Sequence, residues 1–158
     1  MMLITLEEIH LPQPFVDIIT DVYKGSFLQV ICEDQLTEPV PLHLGIKTGC
    51  PLSAVNFILA INQWLKWLCQ CAPPQIRSPN PVQGYADDVE MSSRDESVIT
   101  NMLGRTDEFL LWSKLEVKHT KCAALYERRS GGNRWYKAKS DKPPTFTLMG
   151  QPIRVYSR

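Results

Sequence analysis

Two adjacent aspartates, Asp87 and Asp88, lie between two short segments in which apolar residues alternate with other residues. Of the features of this sequence, this pattern limits the possible fold most. Neighbouring side chains of a strand point to opposite faces, so the two carboxylates cannot share one site within a regular strand. The pattern predicts a hairpin in which a strand at 82–86 turns at both aspartates into a strand at 89–92. Two explanations of the pair stay open. Asp is a common turn residue, and carboxylate oxygens are also ligands of hard divalent ions such as Mg²⁺.

Apolar residues recur at helical spacing in three segments, and each segment has a start or stop signal. The first runs from two prolines to Gly25, the second starts at Pro51 and should end before Pro73, and the third follows Ser93, which begins a capping-box pattern. We expect the last two to be long helices. The proline-rich stretch at 72–81 between them cannot form regular structure.

Strand patterns occupy most of the remaining chain. They predict a hairpin at 27–32 and 36–44, a strand at 121–126, and a small hairpin of 145–148 with 153–156 around Gly150. Helices and antiparallel hairpins alternate without the regular order of a doubly wound sheet, so an α+β fold is predicted. With 158 residues, 44% of them hydrophobic and 22% charged, we expect a single globular domain.

The formal net charge is zero, but acidic and basic residues are distributed unevenly along the chain. Residues 1–113 carry 6 Lys/Arg against 14 Asp/Glu, whereas residues 114–158 carry 11 against 3. Residues 127–144 form a basic, Gly- and Lys-rich insertion, and aromatic residues able to stack on bases lie within and beside it. A polyanion partner would select such a surface, although a solvated basic loop explains the charge equally well. The basic residues assigned to a nucleic-acid backbone are Lys118, Arg128, Arg129, Arg134 and Lys137.

Cysteine spacing and hydropathy narrow the class of protein further. The one close cysteine pair, Cys69 and Cys71, has C-x-C spacing rather than the C-x-x-C spacing of a zinc knuckle, which favours reduced thiols over metal ligands. No stretch approaches the roughly 18 to 20 apolar residues of a membrane span, and the N-terminus lacks the features of a signal peptide. We expect no membrane partner and an intracellular location, in the nucleus or cytoplasm.

Four segments of the chain resemble the motifs of reverse transcriptases, in the family's order. Residues 83–89 are similar to the Tyr-x-Asp-Asp signature, and residues 45–57 resemble the segment G-[LIV]-[RK]-Q-G-[CD]-P-L-S-P. Residues 115–122 resemble L-x-[LIV]-N-x-x-K-[TC], and residues 146–150 resemble the strand and glycine of the primer grip. The resemblance is strongest to non-LTR retrotransposon enzymes, and it places palm motifs over residues 45–150.

The resemblance implies a partial polymerase palm, with antiparallel hairpins packed on two long helices. The implied activity is RNA-directed DNA synthesis, in which two Mg²⁺ or Mn²⁺ ions assist transfer of a deoxynucleotide to the 3′ end of a DNA primer on an RNA template. The catalytic metal ligands would be Asp87 and Asp88, the latter as a second or outer ligand. Residues implied at the nucleotide or template are Tyr85, Gly49, Cys50, Pro51 and Lys121, and those of the primer grip are Leu148, Met149 and Gly150. A solvated lysine is an equally good explanation of Lys121.

The chain also departs from the family pattern. The family carries an earlier metal-binding Asp in a block [LIV]-D-[LIV]-x-x-A-[FY], and neither Asp17 and Asp21 in a helix nor Asp34 in a turn matches it. Thr48 replaces the motif's Gln, which removes an amide, and Ala54 replaces its Pro. We therefore expect a polymerase truncated at the N-terminus and inactive alone, which a partner chain could complete. The alternatives are a non-catalytic nucleic-acid-binding module and an interaction module, both derived from a retroelement.

Overall fold

The computed structural model describes residues 2–42, 45–47, 49–72, 80–126 and 143–157, and these form two compact units, 1–63 and 64–158. The helices in these ranges are α1 (Met2–Glu8), α2 (Gln13–Tyr23), α3 (Pro51–Cys69) and α4 (Glu96–Ser113). The strands are β1 (Phe27–Leu28), β2 (Ile31–Cys32), β3 (Gln35–Leu36), β4 (Val40–Pro41), β5 (Val82–Tyr85), β6 (Asp88–Met91), β7 (Ala123–Tyr126), β8 (Thr147–Leu148), β9 (Gln151–Pro152) and β10 (Arg154–Ser157). None of the helices described is long and apolar enough to cross a membrane. A single domain over 1–158 stays a prediction.

The α+β prediction is confirmed, with one difference in strand pairing. Antiparallel pairs form between β1 and β4, β2 and β3, β5 and β6, and β8 and β9. The predicted partner of the 145–148 strand was 153–156, but β9 takes that place and β10 pairs in parallel with β7. The two-residue turn at Met149 and Gly150 brings Gln151 opposite Leu148, and Val155 packs on the core cluster that also holds Ala124.

In the first unit, α1 and α2 enclose a small apolar core. Leu6, Val16 and Ile19 are buried there, and partly buried side chains including Tyr23 and Leu52 pack against them. The prediction of α2 is confirmed at both ends, since proline occupies its first turn and Gly25 follows with φ +64°. Helix α1 was not predicted, because seven residues give too little helical periodicity to recognise.

The hairpin predicted at 27–44 forms as two short pieces. Strands β2 and β3 close on Glu33 and Asp34, whose φ values of 46° and 67° are those of a type I′ turn. Strands β1 and β4 pair further out, and the backbone between the two pieces is irregular. Residues 43 and 44 lie outside the described ranges.

In the second unit, helix α4 supplies much of the core. One of its faces carries Leu103 and Leu110, which are buried with Phe146 and Leu148. The ring of Phe109 stacks on Trp64 near the C-terminal end of α3, with centroids 4.9 Å apart and 4° between planes. The prediction that α3 ends before Pro73 is confirmed.

The predicted capping box at the start of α4 is wrong. Ser93 was expected to cap the helix, but Asp95 is the N-cap residue, and its carboxylate accepts a hydrogen bond of 2.9 Å from the amide of Ser97. Ser93 instead accepts a hydrogen bond from the Asp95 amide. Both residue types are good N-caps, and the helix begins at the one that directly precedes the apolar face at Val98.

A candidate active site on the aspartate hairpin

The two aspartates occupy different positions in their hairpin. Tyr85 pairs with Asp88 across β5 and β6, so the turn consists of Ala86 and Asp87. The prediction that both aspartates lie in the turn is therefore correct for Asp87 and wrong for Asp88, which is the first residue of β6. Two residues suffice for a tight hairpin turn when the first has positive φ, as Ala86 does at 53°.

The hairpin has a packed face and an open face. Directly opposed residues share a face, so Val82 and Met91, with Gly84 and Val89, form one side, and its three larger side chains are half-buried. The other side carries Tyr85 opposite Asp88 and Gln83 opposite Glu90, and all four are exposed. The Tyr85 side chain is 85% exposed. The open face thus presents an aromatic ring beside two carboxylates, with a third carboxylate, Asp87, at the tip.

Gly84 lets this hairpin lie directly on helix α3. A Cβ atom added to Gly84 would stand 2.7 Å from Cδ1 of Leu65, closer than real carbon atoms approach. Since Gly84 has ordinary φ, close packing and not backbone geometry requires glycine here. The contact fixes the height of β5 above the helix, and with it the position of Tyr85 and the turn.

The segment at 115–122 is anchored by alternate side chains. Leu115, Val117 and Cys122 pack on the core cluster of α4, while Lys118 and Lys121 are exposed. A 3₁₀ turn, His119–Lys121, ends the segment, and the Lys121 amide donates a 2.8 Å hydrogen bond to the Lys118 carbonyl. The strand predicted at 121–126 begins only at Ala123, so Lys121 projects from a fixed turn directly before β7.

The turn between β8 and β9 is open on its outer side. Leu148 is buried in the core cluster, whereas Met149 is 39% exposed and Gly150 is exposed. Both turn residues have positive φ, 50° and 73°. The amide of Met149 donates a 2.7 Å hydrogen bond to Oδ1 of Asp107 on α4.

The segment that leads into α3 belongs to the first unit and consists of Gly49, Cys50 and Pro51. Gly49 has φ +81°, and among the described residues no atom lies within 4 Å of where its Cβ would be, so its conformation and not its size requires glycine. Pro51 is the first helical residue, as predicted. The hydrogen bond from the Leu52 amide lowers the pKa of the Cys50 thiol, and bonds from Ser53 and the charge of Lys47 act in the same direction.

Three contacts connect the start of α3 to the end of α2. The Lys47 ammonium donates to the carbonyl of Val22 and lies 5.6 Å from the ring centroid of Tyr23. The Tyr23 hydroxyl is 2.9 Å from that of the buried Ser53. Lys47 lies within the motif recognised at 45–57. The contact between Tyr23 and Ser53 could not be predicted from the sequence, because the two residues are 30 positions apart.

A family model described as reverse transcriptase (RNA-dependent DNA polymerase) matches residues 3–153, nearly the whole chain. The chain belongs to the reverse transcriptase family. A comparison with curated proteins found no match. Membership makes nucleic acid and deoxynucleotides the expected ligands in general terms. The matched residues include α1 and α2, which carry none of the four motifs.

The reverse transcriptase motifs of the second unit share one core. Met91 of the aspartate hairpin, the 115–122 segment and Leu148 before the open turn all pack on the cluster formed with α4. The packing gives these three motifs a common rigid support. Four basic residues predicted to contact a nucleic-acid backbone, Arg128, Arg129, Arg134 and Lys137, lie outside the described residues.

The aspartate hairpin fits the divalent ions of reverse transcriptases in part. Asp87 and Asp88 provide adjacent, exposed carboxylates, which are the oxygen ligands that Mg²⁺ and Mn²⁺ take. Within the described ranges, however, no three His, Cys, Asp or Glu side chains are grouped closely enough to hold a metal ion. Two carboxylates can contribute to such a site, and further ligands must come from elsewhere.

Proposed function

We propose that this chain is palm sequence of an RNA-directed DNA polymerase of the non-LTR retrotransposon type. The observation that carries the proposal is the aspartate hairpin, which holds Tyr85 and Asp88 on one open face with Asp87 at the tip. Two packing features support the proposal. The hairpin packs on Leu65 of α3, and it shares a core with the 115–122 segment and the 148–150 turn. The substrates would be an RNA template, a DNA primer and deoxynucleoside triphosphates.

Each motif would have a distinct role in nucleotide addition. Asp87 and Asp88 would hold Mg²⁺ or Mn²⁺, and the ions when bound stabilise charge on the attacking 3′ oxygen and the departing pyrophosphate. Tyr85 would pack near the primer end, and the turn at Met149 and Gly150 would hold the primer strand. Lys121, an exposed ammonium with three donors, would neutralise or protonate the pyrophosphate.

We further propose that the chain is inactive alone. The earlier metal-binding Asp block of the family is not recognisable in the sequence, and Asp17, Asp21 and Asp34 match it in neither pattern nor element. Metal orientation and electrostatic stabilisation each lower a barrier by several kcal/mol, so a missing carboxylate would remove most of the rate. A partner chain could supply the missing parts, inside the cell where the template and primer are found.

Binding of Mn²⁺ to the folded chain with a bound primer–template tests the metal assignment. Paramagnetic broadening of the amide signals should be greatest at Ala86, Asp87 and Asp88. Asp87→Asn should weaken Mn²⁺ binding about tenfold or more, because it removes one of two charged ligands. Glu90→Gln is the matched control, since Glu90 is an exposed carboxylate of the same hairpin, on the face that carries Asp88. Equal losses in the two variants would show non-specific attraction of the ion and would refute the assignment.

A second candidate function, an interaction module, is favoured by the apolar surface of the first unit. Nine large apolar side chains on α2 and the 27–41 hairpin are exposed: Phe15, Ile18, Val22, Phe27, Leu28, Val30, Ile31, Leu36 and Val40. Exposed apolar surface of this extent is typical of protein contacts. Sedimentation velocity over a range of concentrations tests this function, which predicts concentration-dependent association. A monomer at every concentration would contradict it.

A further inference from the structure

Asp107 joins helix α4 to the turn that the proposed function assigns to the primer. It lies one helical turn from both Leu103 and Leu110, which pack with Leu148 in the core cluster. Asp107 therefore lies on the side of α4 that faces β8, and its Oδ1 accepts the 2.7 Å hydrogen bond from the Met149 amide. The bond links residues 42 positions apart in sequence.

The Met149 amide takes its acceptor from outside its own hairpin. Leu148 pairs with Gln151, so Met149 and Gly150 are the central residues of a two-residue turn, and both have positive φ, as in type I′. The amide of the first central residue of such a turn points away from the partner strand. This turn type favours Asn-Gly, whereas methionine rarely adopts positive φ, so the sequence alone specifies the turn weakly.

The outer side of the turn is free to meet a ligand. Met149 is 39% exposed, and no atom of the described residues lies within 4 Å of the position that a Cβ atom on Gly150 would occupy. Asp107 is half-buried beneath it. A hydrogen bond from below thus fixes the backbone conformation while leaving the exposed surface clear.

We propose that Asp107 is a positioning residue, which holds the Met149–Gly150 turn in the conformation that contacts the primer strand near its 3′ end. The inference rests on the proposed function, because it takes from it the identity of the ligand. Asp107 does not touch the primer. Its own negative charge opposes binding of a polyanion, so its contribution must come through the Met149 amide.

The test compares Asp107→Ala with Glu108→Ala in the full chain. Glu108 is the next residue of α4 and is exposed, so both variants remove one carboxylate from the same helix. Fluorescence anisotropy would measure affinity for an RNA–DNA duplex with a recessed primer 3′ end and for a blunt duplex of equal length. The ratio of the two affinities reports how the primer end is held, whereas general loss of structure lowers both affinities together.

We expect Asp107→Ala to lower the preference for the recessed end about tenfold relative to Glu108→Ala, since one charge-assisted hydrogen bond is lost. Asp107→Asn keeps a carbonyl oxygen able to accept from the Met149 amide, so its preference should stay within about threefold of that of Glu108→Gln. Equal preferences in the two alanine variants, or no rescue by asparagine, would overturn the inference. Absence of any preference in the unmodified chain would instead overturn the placement of the primer under the proposed function, and this inference with it.

Amide exchange in the unmodified chain tests the hydrogen bond without relying on a variant that folds. The Met149 amide should exchange at least about tenfold more slowly than in an unstructured peptide. Exchange at the unprotected rate would show that Asp107 does not hold the turn and would overturn the inference directly.

Discussion

Replacing Gly84 by alanine tests whether the aspartate hairpin packs directly on Leu65 of α3. The added Cβ would stand 2.7 Å from Cδ1 of Leu65, so the Leu65 side chain must move or β5 must rise from α3. Overpacking of this kind costs about 1–3 kcal/mol, while alanine is favoured over glycine within a strand by about 0.5–1 kcal/mol. Because the clashing atom ends a flexible side chain, we expect a net loss of about 1 kcal/mol in the free energy of unfolding.

A double-mutant cycle with Leu65→Ala isolates the contact. With Leu65 truncated, Gly84→Ala has nothing to clash with and should stabilise the chain by about 0.5–1 kcal/mol, which gives a coupling of about 1.5–2 kcal/mol. Urea denaturation of the four chains measures it. Gly104→Ala is the control substitution. Gly104 lies inside α4, and in the described part of the chain nothing stands within 4 Å of an added Cβ, so alanine should stabilise the chain by about 1 kcal/mol. If Gly84→Ala has the same effect with and without Leu65, the proposed packing on Leu65 is wrong.

Two substitutions and one chemical modification test local features of the fold. Asp95→Ala should lower the free energy of unfolding by about 1 kcal/mol in urea denaturation, and by more than Ser93→Ala; the reverse order would restore Ser93 as the cap. Ala86→Gly should raise the free energy of unfolding by about 0.5–1 kcal/mol. Relief of left-handed backbone strain, worth about 1–2 kcal/mol, exceeds the stabilisation of the unfolded chain by the conformational entropy of glycine. A lower free energy of unfolding would show that the turn is not strained. The lowered pKa of Cys50 means that its thiolate forms at lower pH in the folded chain, so stability from this group is lost as pH falls through the folded pKa. Iodoacetamide should therefore modify Cys50 at lower pH in the folded chain than in urea, and coincident pH profiles would contradict this.

Elements with local signals were predictable from the sequence. Prolines at the first turn and a following glycine gave the bounds of α2, and Pro51 gave the start of α3, because these residues act on the backbone where they stand. Alternation of apolar residues predicted the aspartate hairpin. The choice between Ser93 and Asp95 as cap failed because both residue types can do it, and packing of the following helix decides.

Features that depend on distant parts of the chain were not predictable. The pairing of β10 with β7 brings the half-buried Val155 and Ala124 against one core cluster, which no local pattern reveals. Asp107 gave no signal either, since its role is defined by the amide of a residue in another element. The motif resemblance identified Asp87 and Asp88 as a candidate site, but the number of residues in the turn determined which of them is at the tip.

Extension of a DNA primer on an RNA template tests whether this chain alone holds a complete polymerase active site. The purified chain and its Asp87→Asn variant would be assayed with Mg²⁺ and with Mn²⁺, after binding of the primer–template has been verified. We expect both proteins to bind the primer–template and neither to extend it, because Asp87 and Asp88 without a recognisable earlier metal-binding block form an incomplete site. Extension by the unmodified chain that disappears in Asp87→Asn would contradict this expectation, since it would show a complete active site within these 158 residues.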